Sequence, residues 1–296
     1  MHISKPQHRP PFDVYSPMLQ IVEGCTHNKC HFCDIFRDVT FHMSPWDEIM
    51  EDVDEIAATS IATERRRIYL TGGNPYALPN SKLLPLLDEV KRRIPEVKEF
   101  GGFCRIADIA RRTNEELQQL ADYGVNMITI GAESGYDPAL AFMEKGHTAA
   151  DIIEQGKRMH AHGIKFCFFY LTGMAGAGNC EENAIASGKV FSEAAPDYIL
   201  IVTITPTATW PLRQDIEDGL WTPPEELEMA NEIRTFVANL DCETYVNCSH
   251  DTDVVRFDAK LPKDKENALQ LMDHVIPKLR PAAARRMREF IHHAKF

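Results

Sequence analysis

Short apolar runs alternate with longer amphipathic stretches over most of the 296 residues. The apolar runs lack an alternation of one wet and one dry face, as is typical of strands buried in a parallel sheet. Six of them are predicted as strands, and they begin near residues 18, 67, 99, 127, 164 and 198. Each is followed by a helical pattern, so the sequence predicts a strand–helix unit repeated six times.

Several of the predicted helices carry end signals. Thr113 and Glu116 have the spacing of a capping box, which predicts a helix start at Thr113. Ser44 followed by Pro45 predicts another start, with Ser44 as the N-cap and Pro45 as the first helical residue. Gly163 is expected to end the fourth helix. These signals place helices between the predicted strands.

A loop after the first strand carries three closely spaced cysteines. Cys25, Cys30 and Cys33 lie within nine residues in a C-x4-C-x2-C spacing. A closed structural zinc site or a closed iron–sulfur cluster uses four protein ligands. A 4Fe–4S cluster held by only three cysteines leaves one iron able to bind a small molecule. The sequence therefore predicts a metal cluster on this loop with one open coordination position.

Two other uses of these thiols remain open. Zinc could be bound if His27 or His31 supplied a fourth ligand, although the usual second ligand pair is missing. The cysteines could also be unrelated free thiols, although thiols this close together are reactive when exposed. The chain has eight cysteines and no export signal, which predicts a cytoplasmic protein with metal or thiol chemistry and no disulfides.

The cysteine loop resembles the signature of the radical S-adenosylmethionine (radical SAM) enzymes. In that family three cysteines follow the first strand, and an aromatic residue precedes the last cysteine. Cys25, Cys30, Phe32 and Cys33 match in order, although the first spacing is one residue longer than the commonest one. The resemblance implies a 4Fe–4S cluster whose open iron binds S-adenosylmethionine, with Phe32 near the adenine.

The resemblance also implies the architecture. Six strand–helix units fit the open, partial (β/α)6 TIM-type barrel of this family, an α/β fold, over residues 17–206. Residues 1–16 are polar and proline-rich and are predicted to form an N-terminal arm. Residues 207–296 are predicted as a mainly helical C-terminal extension that covers the barrel opening. Its predicted elements are a helix over 222–240 with one apolar face, a short strand at Tyr245–Cys248, and helices near 264–279 and 282–294.

Active sites in parallel α/β barrels form at the carboxyl ends of the strands. Gly72, Gly73 and Asn74 lie where the family has a Gly-Gly-Glu segment that contacts the S-adenosylmethionine amine, and Asn74 replaces the family's carboxylate. Glu133 and Ser134 lie in a Gly-x-Glu-Ser-Gly segment that the resemblance places against the ribose or the methionine part of the cofactor. The alternatives are a plain turn at the glycines and a helix N-cap by Ser134.

Four further residues are candidate substrate contacts. Arg105 and Tyr170 lie at the ends of predicted strands, and Asn247 and His250 lie in a polar stretch able to return over the barrel mouth. A salt bridge at the rim is the alternative for Arg105, and a place in the core is the alternative for Tyr170. Lys145 is predicted to pair with a carboxylate.

Composition excludes several other classes of protein. No run of 18 apolar residues occurs, so no membrane span is expected. The net charge of −12 argues against a general nucleic-acid-binding surface. The end of the chain is locally basic, which predicts a solvated helix or a contact with RNA or an acidic partner. Walker-type phosphate loops and H-E-x-x-H zinc motifs are absent from the sequence. Cys242 and Cys248 are too sparse to predict a second cluster.

The resemblance implies an enzyme that reductively cleaves S-adenosylmethionine and uses the 5′-deoxyadenosyl radical to abstract hydrogen from a substrate. The substrate, a small molecule or a peptide, is not identified by the sequence, and the electron is expected from a donor such as flavodoxin or ferredoxin. The alternative is a non-enzymatic haem- or cluster-binding chaperone of the same superfamily. Four histidines keep that alternative open: His27, His31, His292 and His293.

Overall fold

The computed structural model describes residues 1–5, 7–59, 66–280, 282, 285 and 286. Contacts between these residues divide the chain into two compact units. Unit 1 comprises residues 1–28, 35–131 and 158–166, and unit 2 comprises residues 29–34, 132–157 and 167–296. Most of the helix predicted over 282–294 lies outside the described residues, as do the histidines of the tail.

Strands and helices alternate along the described chain, as predicted. The strands are β1 (Met18–Gly24), β2 (His42–Met43), β3 (Arg67–Gly73), β4 (Glu99–Cys104), β5 (Ile128–Glu133), β6 (Phe166–Thr172), β7 (Tyr198–Thr203), β8 (Thr244–Cys248) and β9 (Phe257–Leu261). The helices are α1 (Trp46–Ala57), α2 (Asn80–Arg93), α3 (Ile106–Ala110), α4 (Asn114–Asp122), α5 (Asp137–Phe142), α6 (Ala149–Ala161), α7 (Cys180–Ala194), α8 (Leu212–Glu217), α9 (Glu226–Asn239) and α10 (Lys265–Val275). No described helix is long and apolar enough to cross a membrane.

Unit 1 is built on parallel strands. β1 pairs with β3, β3 with β4, and β4 with β5, while the short β2 runs antiparallel to β1. The interior of β1 is fully enclosed, since Leu19, Ile21 and Val22 have no exposed surface. Parallel strands are commonly buried on both faces, which explains why these strands are apolar throughout.

Unit 2 continues the parallel pattern and then leaves it. β6 pairs in parallel with β7 and β7 with β8, whereas β9 runs antiparallel to β8. The apolar face predicted on α9 is buried, and Phe236 stacks on Tyr170 of β6 with ring centroids 3.9 Å apart. The C-terminal region therefore supplies strands as well as helices.

Two local predictions had different outcomes. The capping box is confirmed, because the amide of Glu116 donates to Thr113 Oγ1 at 3.2 Å and the amide of Thr113 donates to Glu116 Oε2 at 2.9 Å. The Ser44 cap is wrong. α1 begins at Trp46 with Pro45 in the cap position, and no side chain makes a cap hydrogen bond there.

The sequence also failed to predict β9, since its alternation of buried and exposed residues differs from the apolar runs of the parallel strands.

The first residues of the chain are anchored to β3. Asp13 closes a single 3₁₀ turn and has no exposed surface. Arg67 Nε and Nη2 donate to its two carboxylate oxygens at 2.7 and 3.0 Å. Ser16 Oγ donates to the same carboxylate at 2.6 Å. This almost completely enclosed ion pair holds the first residues of the chain against β3 in unit 1.

Asp13→Ala is expected to lower the free energy of unfolding by about 3 kcal/mol, since Arg67 loses both hydrogen bonds to its fully enclosed partner and keeps only the more exposed Glu99 among its described ion-pair partners. Urea denaturation measures the change. The matched control is Asp38→Ala, which removes an exposed ion pair with Lys5 and should cost less than about 1 kcal/mol. Equal losses in the two variants would contradict the assignment.

Candidate functional site

The three loop cysteines differ in environment from most of the other five. Cys25, Cys30 and Cys33 are half-buried, whereas Cys104, Cys167, Cys180 and Cys248 are buried and Cys242 is half-buried. The amide of Cys33 donates to the carbonyl of Cys30 at 3.3 Å, so these two residues share one turn. Burial raises the pKa of the thiols of Cys104 and Cys248 well above their usual range, and it raises that of Cys242 to about 11. Those three remain protonated, unlike a metal ligand.

The donor set of the loop fits a cluster better than a single ion. Among the described residues, no three His, Cys, Asp or Glu side chains are grouped so that they could hold one metal ion. In a 4Fe–4S cluster each cysteine binds a different iron, so the thiols need not converge on one point. Three accessible thiols on a loop of nine residues supply that chemistry.

Gly72 and Gly73 are required by strand packing. Their φ angles are +108° and +123°, in a region that favours glycine. A Cβ at Gly72 would lie 1.6 Å from the carbonyl oxygen of Val22, and one at Gly73 would lie 1.9 Å from that of Gly24. The close approach of β3 to β1 explains these glycines, and their predicted contact with a cofactor stays a prediction.

Asn74 joins the cysteine loop to α3 within unit 1. Its Oδ1 accepts from the amide of Thr26 at 3.0 Å, and its Nδ2 donates to Thr26 Oγ1 and to Asp108 Oδ2, each at 2.8 Å. Asp108 is fully buried and also accepts from the amide of Arg105 at 3.0 Å. Because the Asn74 amide already makes three hydrogen bonds, its clearest role is to fix the residue next to Cys25.

Glu133, Lys145 and Phe32 lie together in unit 2. Lys145 Nζ donates to Glu133 Oε1 at 3.0 Å, which confirms the predicted carboxylate partner. The same ammonium lies 5.4 Å from the centroid of the Phe32 ring. The backbone of Glu133 has a φ of +69°. Non-glycine residues in this unfavourable region are often part of a functional site. Lys145 therefore links the Glu133 carboxylate at the end of β5 to Phe32 of the cysteine loop.

Ser134 and Tyr170 belong to a buried polar network that the sequence did not reveal. Ser134 Oγ donates to Asn183 Oδ1 at 2.5 Å, and Asn183 Nδ2 donates to Glu232 Oε1 at 2.6 Å. Tyr170 also donates to Glu232, at 2.7 Å. Burial raises the pKa of Glu232 to about 7 in spite of these hydrogen bonds. The only sequence signal was a carboxylate on the apolar face of α9.

This network changes the interpretation of two candidates. Ser134 is not a helix N-cap, because α5 begins after Tyr136. Its hydroxyl is already engaged and fully buried, so its cofactor contact stays a prediction. Tyr170 is fully buried, as its core alternative required.

Asn247 and His250 are held near the end of β7. Asn247 Nδ2 donates to Ser249 Oγ at 2.9 Å and to the carboxylate of Asp258. The amide of His250 donates to Asp253 at 2.9 Å, and Asp253 accepts from the amide of Thr203 at 3.1 Å. Burial raises the pKa of Asp253 to about 7. These bonds fix the β8–β9 connection, and substrate contact by Asn247, His250 or Arg105 stays a prediction.

A cavity of about 340 Å³ lies where the chain leaves β7. Its lining includes Ile204, Thr205, Arg213, Ile216, Trp221 and Met229. The predicted substrate residues are not in its lining. The lining comes from loops, the short α8 and Met229 of α9, so no single motif marks it in the sequence. The cavity is within the usual range for small-molecule sites.

A model of the radical SAM superfamily matches residues 19–186, which is more than half of the chain. The matched region contains the cysteine loop and strands β1 to β6. The chain belongs to the radical SAM superfamily, as its cysteine loop predicted. The predicted cofactor class, a 4Fe–4S cluster with S-adenosylmethionine, is confirmed at the level of this family.

Two curated relatives are both named heme chaperone HemW. The protein of Bacillus subtilis (strain 168) is 25% identical over 145 residues, covering 48% of this chain and 38% of the relative. The protein of Escherichia coli (strain K12) is 24% identical over 267 residues, covering 84% of this chain and 67% of the relative. The chain thus spans well under half of the first relative and about two thirds of the second.

Among solved structures, the chain is similar to coproporphyrinogen III oxidase (HemN) from Escherichia coli, described as a radical SAM enzyme. The TM-score is 0.56 at 14% identity, covering 75% of this chain and 52% of that one. At this identity the likeness shows the fold alone. It confirms the predicted α/β class, a partial TIM-type barrel.

Asn74→Ala is expected to lower the free energy of unfolding by roughly 2 kcal/mol, because it removes two hydrogen bonds to Thr26 and one to the buried carboxylate of Asp108. It should also speed iron loss to a chelator, because the residue after Cys25 loses its support. Asn231→Ala removes an exposed helix-surface hydrogen bond and is the control. An Asn74→Ala protein that keeps its iron as long as the parent would show that this network does not support the loop.

Proposed function

We propose that the protein is a radical SAM enzyme that reductively cleaves S-adenosylmethionine to abstract hydrogen from a small-molecule or peptide substrate. The observation that carries this proposal is the loop with three accessible cysteines inside the region matched by the family. When bound, the cluster supplies the electron that splits the sulfonium into methionine and a 5′-deoxyadenosyl radical.

The residues of the loop would hold the cluster. Cys25, Cys30 and Cys33 would supply the thiolates, and the loop contains no fourth cysteine. Asn74 holds the chain beside Cys25 through Thr26. These contacts would fix the backbone beside Cys25 before any metal arrives, so less ordering of that segment would be needed when the cluster assembles.

In unit 2, the chain at the end of β5 would bind part of S-adenosylmethionine. Glu133 has lone pairs to accept hydrogen bonds from ribose hydroxyls, and Lys145 Nζ holds its carboxylate at 3.0 Å. Phe32 offers a ring face for the adenine. Gly72 and Gly73 offer backbone groups to the cofactor amine. We assign Asn74 and Ser134 indirect roles, since their side chains are engaged within the protein.

The substrate would enter at the carboxyl end of β7. The cavity lined by Ile204, Trp221 and Met229 offers a largely apolar floor with Arg213 at its edge. An apolar floor would help to exclude water once a substrate is bound, which would protect a radical from side reactions. We retain residues 17–206 as the barrel domain, 1–16 as an arm and 207–296 as an extension that shapes substrate access. A cytoplasmic location and an electron donor such as flavodoxin or ferredoxin complete the proposal.

A second candidate is a haem-binding chaperone. It is favoured by the names of the two curated relatives, both heme chaperone HemW. His31 is the described histidine best placed in the loop to support it, because its ring is oriented by a carboxylate at 2.7 Å. This candidate keeps the cluster and dispenses with a hydrogen-abstraction step.

Anaerobically reconstituted protein is expected to form 5′-deoxyadenosine from S-adenosylmethionine after reduction, measured by chromatography. Cys30→Ala should lose iron and product together, since a cluster ligand is gone. Cys242→Ala should keep both. A haem titration of the same samples separates the second candidate: tight binding with a Soret shift, without any 5′-deoxyadenosine, would contradict the enzyme proposal and favour the chaperone.

A further inference from the structure

His31 lies in the cysteine loop between Cys30 and Phe32, and both of its backbone polar groups are engaged. Its amide donates to the carbonyl of Met143 at 3.2 Å. Its carbonyl accepts from the amide of Leu212, the first residue of α8, at 2.9 Å. One loop residue is thus held from two sides within unit 2.

The imidazole adds a third attachment. His31 Nδ1 lies 2.7 Å from Asp215 Oδ2, and the ring packs edge-on against Phe142 with centroids 5.7 Å apart. An ionised carboxylate only accepts hydrogen bonds, so Nδ1 is the donor. Nε2 lies 3.8 Å from Glu144 Oε1. Asp215 and Phe142 therefore fix the orientation of the ring.

Asp215 is itself held by the chain around it. The Asp215 side chain is 14% exposed, and its backbone carbonyl accepts from the amides of Leu220 and Trp221 at 2.8 and 3.2 Å. The indole of Trp221 in turn donates to the carbonyl of Met174 at 3.2 Å. The carboxylate that receives His31 thus belongs to α8, whose C-terminal end is anchored in unit 2 by these hydrogen bonds.

We propose that His31 is a positioning residue, which fastens the Cys30–Cys33 turn to α8 through Asp215. The C-terminal segment then determines how firmly the cluster is held, in addition to shaping the substrate site. This inference rests on the proposed function only in that a cluster occupies the loop. The His31–Asp215 pair would hold the chain beside Cys30, as Asn74 and Thr26 hold the chain beside Cys25 within unit 1.

The test compares His31→Ala, Asp215→Ala, their double variant and His31→Asn in the full reconstituted chain. The side-chain amide of asparagine can replace the Nδ1 donor, whereas alanine cannot. Each alanine variant is expected to release iron to bathophenanthroline disulfonate about tenfold faster, as loss of a charge-assisted hydrogen bond predicts. The double variant should be no faster than either single one, because the pair acts as a unit. His31→Asn should release iron at nearly the parent rate.

His42→Ala is the matched control, since His42 is an exposed histidine outside the loop turn. A His31→Asn protein that releases iron as fast as His31→Ala would overturn the inference. So would parent-like release from Asp215→Ala.

Amide hydrogen exchange of residues 30–33 in the iron-free chain separates this inference from the proposed function. Faster exchange is expected in His31→Ala and Asp215→Ala, and parent-like exchange in His31→Asn. Unchanged exchange in all variants overturns the positioning role regardless of iron content. The expected exchange pattern in a protein that assembles no cluster supports the positioning role and contradicts the proposed function instead.

Discussion

A loop without regular secondary structure has to keep three thiols in fixed positions, and much of the site is arranged around that requirement. In unit 1, Asn74 binds both the amide and the hydroxyl of Thr26, next to Cys25. In unit 2, Asp215 binds the ring of His31, next to Cys30. Each bond fixes a neighbour of a cysteine. A cluster with only three protein ligands depends more on such support than one with four.

The sequence predicted the features that depend on local pattern or on spacing. The cysteine loop, the capping box at Thr113 and the parallel strands were all predicted from neighbouring residues alone. The Ser44 cap failed because a local cap signal does not show where the first helical turn closes. The roles of Asn74 and His31 were missed because their partners, Asp108 and Asp215, are 34 and 184 residues away in sequence. Spacing rules cannot identify such pairs, which exist only after folding.

The same limit applies to the substrate. Ser134 follows β5 and Tyr170 lies near the end of β6, which made both candidates for the site, and both belong to the buried network around Glu232. The cavity beside β7 is lined by residues of α8 and of the loops around it, which carry no recognisable motif. α8 contributes both Asp215, which holds the cysteine loop, and Arg213 and Ile216, which line the cavity. Family membership therefore defines the cofactor chemistry, whereas the substrate depends on residues particular to this chain.

The proposed function requires that three cysteines hold a 4Fe–4S cluster whose fourth iron is open to S-adenosylmethionine. Electron paramagnetic resonance of the reduced, reconstituted protein tests it directly, with spectra recorded before and after the cofactor is added. We expect a 4Fe–4S signal whose g-values shift on addition of S-adenosylmethionine, because the cofactor becomes a ligand of one iron. A spectrum that the cofactor leaves unchanged would contradict the claim, since it would mean that no iron is available to bind it.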